Sequence, residues 1–410
     1  MGTATSATVL YDDGTTERYD RADAALAHTA DGRIELHYAY GADALPPSLA
    51  GRFDMWRYAR LLPLEAGAYP LPVGGTPLIA APKLRAAAGV PGLWLKDETR
   101  GPTGSNKDRA TALVLQHAIN CGIETVSCAS TGNVAVSLAV GAAAAGKNAV
   151  VFVPASVDRG KLAFMLAAGA TVVMVQEGYD AAFRLSCEAA RVFGWYDRNT
   201  GVNPLTFEGK KTVAFEIWEQ LGRKVPDVAV SPAGDGVTLS ALAKGFRELV
   251  ACGAATRVPR LIGVQAEGAQ PLVRAWETGG RPQASSAATL ADGIAVGAPV
   301  NAAMALRDVR QSGGGFVAVP DEAIVAAVGT LATKTGLLAE PAGAAAAAGL
   351  LRAVERGLVL REETVVVLVT GSAFKTPRFL RPAASPLEVR AHIGELRRVL
   401  RGVHEAGRRE

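Results

Sequence analysis

The chain reads as an α/β protein with mainly parallel sheets. Two observations say so. From residue 93 onward, short apolar runs alternate with longer stretches of helical period. Its glycine- and hydroxyl-rich turn motifs fall directly after those runs, where the helical stretches begin. Open α/β sheets place ligands there, outside the carboxyl ends of their strands.

The elements follow in order. Residues 7–20 hold two β-prone segments around Asp12-Asp13-Gly14, a strong turn signal, and predict a hairpin. Residues 45–72 are rich in proline and aromatics and read as an arm wrapping the body. Buried strands are expected at 93–96, 125–128, 149–153, 171–175, 228–231, 261–265 and 364–369. Helices fill the gaps, among them 107–121, 132–145 and one running from the turn at Gly234 through Phe246. The arginine-rich end, residues 381–410, reads as a basic helix or tail with a solvated face.

Composition removes several classes. The 410 residues suffice for two or three domains, and a formal charge of +4 is too small for a nucleic-acid footprint. Cys121, Cys128, Cys187 and Cys252 lack paired metal spacing, the five histidines show no ligand spacing, and no metal site is expected. No signal peptide and no membrane span are read, so the expected setting is cytoplasmic, with reduced thiols. Gly141 to Lys147 falls one residue short of a nucleotide loop and precedes a strand; Gly146 is better read as a helix C-cap.

Four motifs carry chemistry: Pro102-Thr103-Gly104-Ser105-Asn106-Lys107-Asp108-Arg109, Ser130-Thr131-Gly132-Asn133, Gly234-Asp235-Gly236-Val237-Thr238 and Thr370-Gly371-Ser372. Together they describe a site for a phosphorylated aldehyde cofactor. A lysine, Lys107, can form the Schiff base. The backbone of Gly234, Asp235, Gly236, Val237 and Thr238, opening a helix, suits a phosphate dianion. Asp235 is the odd residue, because a carboxylate repels phosphate unless it points away or meets a cation. Ser130, Thr131 and Gly132 suit a substrate carboxylate at a helix N-terminus.

At these residues the chain resembles the fold-type II pyridoxal-phosphate enzymes, most closely the threonine synthase family. The resemblance spans residues 56–377 and includes Gly74-Gly75-Thr76-Pro77-Leu78, Asn203-Pro204, Glu208-Gly209-Lys210-Lys211-Thr212 and Glu340-Pro341-Ala342. It implies two doubly wound domains with pyridoxal 5′-phosphate in the cleft between them. The expected division is 1–75 as hairpin and arm, 76–109 with 201–380 as the large domain, and 110–200 as the small one. It implies that Lys107 carries the cofactor and acts as base, that Asn133 meets its 3′-oxygen, and that Thr370 offers a hydroxyl to its pyridine nitrogen. The implied activity is elimination or replacement on a small-molecule α-amino acid with a leaving group, and the expected assembly is a homodimer. Some threonine synthases carry a cysteine-bearing zinc module at the N-terminus; this chain has no cysteine before Cys121.

Some positions depart from the pattern. Where the family carries an arginine and an asparagine for its substrate's phosphate, this chain has Thr206 and Asp235, and Val134 replaces a common threonine. No clamp for a second phosphate is therefore expected, and phosphohomoserine is expected to be a poor substrate. Ala291-Asp292-Gly293-Ile294-Ala295-Val296 resembles the matching segment of serine/threonine dehydratases. Dehydratase-like β-elimination, cysteate synthase-like β-replacement and a non-catalytic cofactor-binding paralogue are the alternatives.

Overall fold

The computed structural model describes residues 4–20, 32–48, 50–64, 67–383 and 385–406. The expected hairpin is present: β1 (Ala4–Tyr11) pairs antiparallel with β2 (Thr16–Tyr19), and the Gly14 amide closes the turn on Tyr11 O at 3.0 Å. A third strand, β3 (Gly32–Tyr38), pairs with the other side of β1. It was legible in principle, since Ile34, Leu36 and Tyr38 alternate inward with period two. Tyr38 Oη donates to Glu208 at 2.6 Å, and Arg247 and Arg307 hold Glu35 at 2.5 and 3.0 Å.

The remaining strands are β4 (Leu78–Ala80), β5 (Leu93–Asp97), β6 (Thr125–Ala129), β7 (Asn148–Pro154), β8 (Thr171–Val175), β9 (Tyr196–Asp197), β10 (Val228–Pro232), β11 (Arg260–Ala266), β12 (Gly315–Val319) and β13 (Val365–Val369). All seven expected strands are among them; β4 and β9 are too short to have stood out, and β12, as long as β5, is an addition. They form two sheets, β12-β11-β10-β13-β5-β4 and β8-β7-β6-β9. Every pairing in them is parallel except that of edge strand β4 with β5.

The described helices are α1 (Pro82–Ala88), α2 (Lys107–Asn120), α3 (Asn133–Ala144), α4 (Arg159–Ala167), α5 (Tyr179–Phe193), α6 (Leu205–Gln220), α7 (Val237–Ala251), α8 (Pro271–Thr278), α9 (Ala302–Gln311), α10 (Asp321–Thr335), α11 (Pro341–Glu355) and α12 (Ile393–Ala406). They cover both faces of the large sheet, as its strands record. Val366 and Leu368 join one core with residues of α7 and α9, while Val365, Val367 and Val369 join another with α10 and α11. Strands buried on both faces read as continuous apolar runs, which is why β13 is Val-Val-Val-Leu-Val. The small sheet behaves alike: Val126 and Cys128 face α2 and α3, whereas Val150 and Phe152 face α5. The alanine-rich α11 lies against the centre of the large sheet, and a Cβ on its Gly349 would come within 2.3 Å of Val264. No described helix is long and apolar enough to cross a membrane.

Helix α6 is buried along almost its whole length, charges included. Its carboxylates organise two ion clusters. Glu216 meets Arg109 at 2.6 Å and Lys96 at 2.7 Å, and Arg109 also grips both oxygens of Glu98 at 2.7 Å. Glu208 and Glu248 neutralise Lys211 and Lys244. Burial pushes the Glu216 carboxyl up, but Arg109 and Lys96 outweigh it and hold it well below the usual carboxylate range.

Removing Arg109 strands two buried carboxylates. Arg109→Met is expected to cost about 3–5 kcal/mol, read as a lower urea midpoint. Because the folded pKa of Glu216 is depressed, its contribution is complete above the unfolded value of about 4.3 and is lost as pH falls below it. Midpoints that do not fall below pH 4 would show that the carboxylate is not held this way.

Candidate active site

Strands β10, β13 and β5 are neighbours and parallel, so their carboxyl ends open side by side. The turns that follow them are the 233–236, 370–372 and 98–106 segments. Backbone bonds stitch two of these together: Asn106 N donates to Thr370 O at 3.0 Å and Ser372 N to Gly104 O at 2.8 Å. Gly104 sits at φ +66, and a Cβ there would lie 3.0 Å from Ser372. Lys375 adds bonds to the carbonyls of Thr103 and Gly104.

Lys107 is the first residue of α2, and its partly exposed side chain faces the cleft. No described residue accepts from its ammonium. Burial lowers its pKa; Asp235 opposes this, Arg198 adds to it, and the balance stays below the usual lysine range. Asp108, next in sequence, faces away and accepts from Thr103 Oγ1 at 2.5 Å and Ser137 Oγ at 2.7 Å.

The turn after β10 opens α7. The amides of Gly234, Asp235, Gly236 and Thr238 have no acceptor among the described residues, and Gly236 adopts φ +87. Val237 differs: its side chain is buried and its amide donates to Asp235 Oδ1 at 2.9 Å. Asp235 thus caps its own helix and takes one of the donors expected for a phosphate. Thr238 accepts a 3.5 Å contact from Asn106.

Across the cleft, the turn after β6 opens α3. Ser130 Oγ accepts from Gly132 N at 3.0 Å, and Thr131 Oγ1 donates to Asp292 O at 3.3 Å. Asn133 donates to Glu340 Oε1, while its own Oδ1 is buried without a partner. Glu340 is buried at the start of α11, 3.4 Å from Lys161. Lys161 also reaches Asp292 at 2.7 Å, joining α4 to the 292–294 turn.

Of the expected site residues, all but Gly132 and Val237 line one cleft. Ala295 and Val134 line it too, as do Tyr179 and Thr200, which carry no local motif in the sequence. No cluster of three or more metal-ligating side chains exists among the described residues. Gly146 follows the last turn of α3 at φ +63, before β7 and away from the cleft.

The family model described as pyridoxal-phosphate dependent enzyme matches residues 69–371. The chain belongs to this family. Within it, the chain is a pyridoxal-phosphate-dependent lyase of the threonine synthase type. The threonine synthase of Methanosarcina acetivorans is 39% identical over 85% of this chain and 87% of its own, and that of Methanocaldococcus jannaschii is 38% identical over the same shares. Threonine deaminase isoform 2 from Solanum lycopersicum superposes with a TM-score of 0.62 at 24% identity, covering 74% of this chain and 86% of that one. Diaminopropionate ammonia lyase from Escherichia coli gives 0.66 at 19%, covering 83% and 94%. The fold is the fold-type II architecture that these enzymes share.

The residues present fit pyridoxal 5′-phosphate. An amine without an acceptor, four amides without acceptors and an orphaned amide oxygen face or adjoin one cleft. Such groups are costly to leave unmade in a folded protein.

Glu340 joins Asn133 to Lys161, and its removal tests that link. Glu340→Ala is expected to lose about 1–3 kcal/mol in urea unfolding, and Glu340→Gln, which keeps an acceptor for Asn133, distinctly less. Equal losses would show that the Asn133 bond contributes nothing.

Proposed function

We propose that this cleft catalyses elimination or replacement on an α-amino acid carrying a leaving group, in the manner of a threonine synthase. The observation that carries the proposal is the Lys107 amine without an acceptor, facing the cleft that the unsatisfied amides of Gly234, Asp235, Gly236 and Thr238 also line. When bound, pyridoxal phosphate supplies the electron sink that lets an amino acid's α-carbon give up its proton.

The chain's own residues do the rest. Lys107 is the residue that would hold the cofactor's aldehyde carbon. Its amine, kept below the usual lysine range by burial, is the base for the α-proton. The free amides of the 234–238 turn, at the positive end of α7, would hold the cofactor's phosphate. Asn133 retains an N–H for the 3′-oxygen, and the Thr370 hydroxyl, without a protein partner, would face the pyridine nitrogen. A neutral hydroxyl leaves that nitrogen unprotonated, which suits elimination and replacement better than transamination. Ser130, Thr131 and the Gly132 backbone at the start of α3 would take the substrate carboxylate.

A second reading rests on one feature. Ala295 lines the cleft, in the 291–296 segment that resembles the serine/threonine dehydratases. An uncharged wall there suits dehydratase-like β-elimination from a hydroxy amino acid. The proposed division is a large domain of 76–109 with 201–380 and a small one of 110–200. It is supported by the two sheets, whose strands come from these separate ranges. A homodimer in the cytoplasm completes the proposal.

Loaded with pyridoxal phosphate, the protein is expected to absorb in the visible, and borohydride to fix the cofactor on Lys107. Peptide mapping that finds the adduct on another lysine would sink the assignment. Lys107→Ala is expected to lower turnover at least about a hundredfold. Screening serine, threonine and their phosphate and acetyl esters separates the two reactions. A protein that binds the cofactor and turns over none of them would be the non-catalytic paralogue.

A further inference from the structure

The last helix is amphipathic and uncovered. In α12, Ile393, Leu396, Val399 and Leu400 recur at three- and four-residue spacing and share one face, with Arg397, Arg398 and Arg401 around the other. Ile393 is 62% exposed and Leu400 40%. No described residue of α12 joins a hydrophobic core. The side-chain bonds of residues 390–401 stay within that stretch: Glu395 meets Arg390 and Arg398, and His392 accepts from Gly394 N. The match to the family model ends at residue 371, so this helix lies outside it. A helix of 14 residues is marginal alone in water, and its stability comes from covering its apolar face.

A fitting surface lies elsewhere on the same chain. One face of α10 carries Ala323, Ala327, Thr330 and Lys334, and these line a groove of about 570 Å³. Ala347 and Leu351 of α11 form a second wall, and Leu95 and Val367 of the large sheet border the floor. Small side chains leave the groove open, and Leu351 is 48% exposed at its rim. The groove has polarity. Glu267, whose amide bonds to Val319 O just before α10 begins, stands at one end, and Lys334, in the last turn of α10, at the other.

The helix matches the groove in spacing and in charge. Ile393 and Leu400 are seven residues apart, as are Ala323 and Thr330, about 10.5 Å along each axis. In α12 the carboxylate, Glu395, comes first and Arg397, Arg398 and Arg401 follow. Only one orientation sets the arginines at Glu267 and Glu395 at Lys334. In it α12 runs antiparallel to α10, with Leu400 beside Ala323 and Ile393 beside Thr330.

We propose that α12 of one copy of this chain lies in the α10–α11 groove of a second copy, and that the exchange is reciprocal. Two features favour a second copy over the helix's own groove. No residue of α12 lines its own groove. The chain leaves the body at Leu380, half-buried on the core that the groove backs onto, and residues 381–383 and 385–392 are exposed. Pro382 and Pro386 stiffen this strap against folding back. Its twelve residues span up to about 40 Å, enough to reach a neighbour. A ridge and a matching groove on one chain close across a two-fold axis and bury two such contacts at once. The inference is independent of the chemistry in the cleft.

The experiment uses the full chain with the exposed native thiol removed (Cys121→Ser). Preparations of Leu400→Cys and Ala323→Cys are mixed, mildly oxidised and run on a non-reducing gel, and the joined peptides are identified by mass. Ile393→Cys is mixed with Thr330→Cys in the same way. Both mixtures are expected to link two chains, because a disulfide needs Cβ atoms about 4 Å apart. The crossed mixtures, Leu400→Cys with Thr330→Cys and Ile393→Cys with Ala323→Cys, are expected to yield at least about tenfold less, being out of register by some 10 Å. Leu351→Asp, which sets a carboxylate in the apolar wall, is expected to lower the matched yields at least about tenfold. When Leu400→Cys and Ala323→Cys are placed in one chain, the expected product is still a pair of chains. A link within one chain would overturn the proposal, because the helix would then occupy its own groove. Equal yields from matched and crossed mixtures, or no link between these positions, would overturn it as well.

Discussion

Arg109 grips Glu98 and Glu216 at once, and much of the molecule is hung on that grip. Glu98 follows β5, Glu216 lies on α6, and Arg109 is two residues past Lys107 on α2. Four hydrogen bonds to two carboxylates fix the guanidinium plane, and with it the first turn of α2. The contact is close in the backbone too, since a Cβ on Gly209 would meet Arg109 O at 2.3 Å. Burial of so many charges gives little net stability once desolvation is counted. What it gives is position: the Lys107 amine has one place to be, at the mouth of three adjacent parallel strands.

The cleft itself is held from both sides. Lys161, on the small-sheet side, reaches Asp292 and Glu340, which belong to the segments around the large sheet. Asn133 reaches Glu340 along the same line. The walls of the site are thus tied by charge-assisted bonds rather than by apolar packing, and such bonds depend on geometry far more steeply. Asp235 caps the start of α7 and also bears on Lys107, Arg198 and Lys210.

Much of this was legible in the linear chain. Seven strands announced themselves because a strand covered on both faces is apolar at every position. The four motifs announced themselves because glycine, hydroxyl and amide residues after such strands have few other uses. β3 and β12 did not: one alternates over only a few residues, and the other opens on the run Gly313-Gly314-Gly315, which reads as a turn. Lys161, Arg198 and Lys210 were invisible for a different reason. Lys161 and Arg198 are lone basic residues in a helix and a loop, and Lys210, though part of a quoted motif, sits beside Lys211 with nothing local to say which of the two would lack a partner.

The sequence by itself determined the alternation of strands and helices, the identity of the lysine that opens α2 and the class of cofactor its neighbours suit. These depend on periodicity and on residues close along the chain. Only the tertiary structure decided which charges are paid out to partners and which are left over. Asp235 turns to cap α7, Glu340 is claimed by Asn133 and Lys161, and Lys210 ends buried with no acceptor. Pairing of charges is set by distance in space, and residues 198, 210 and 235 meet only once β9, α6 and β10 have packed.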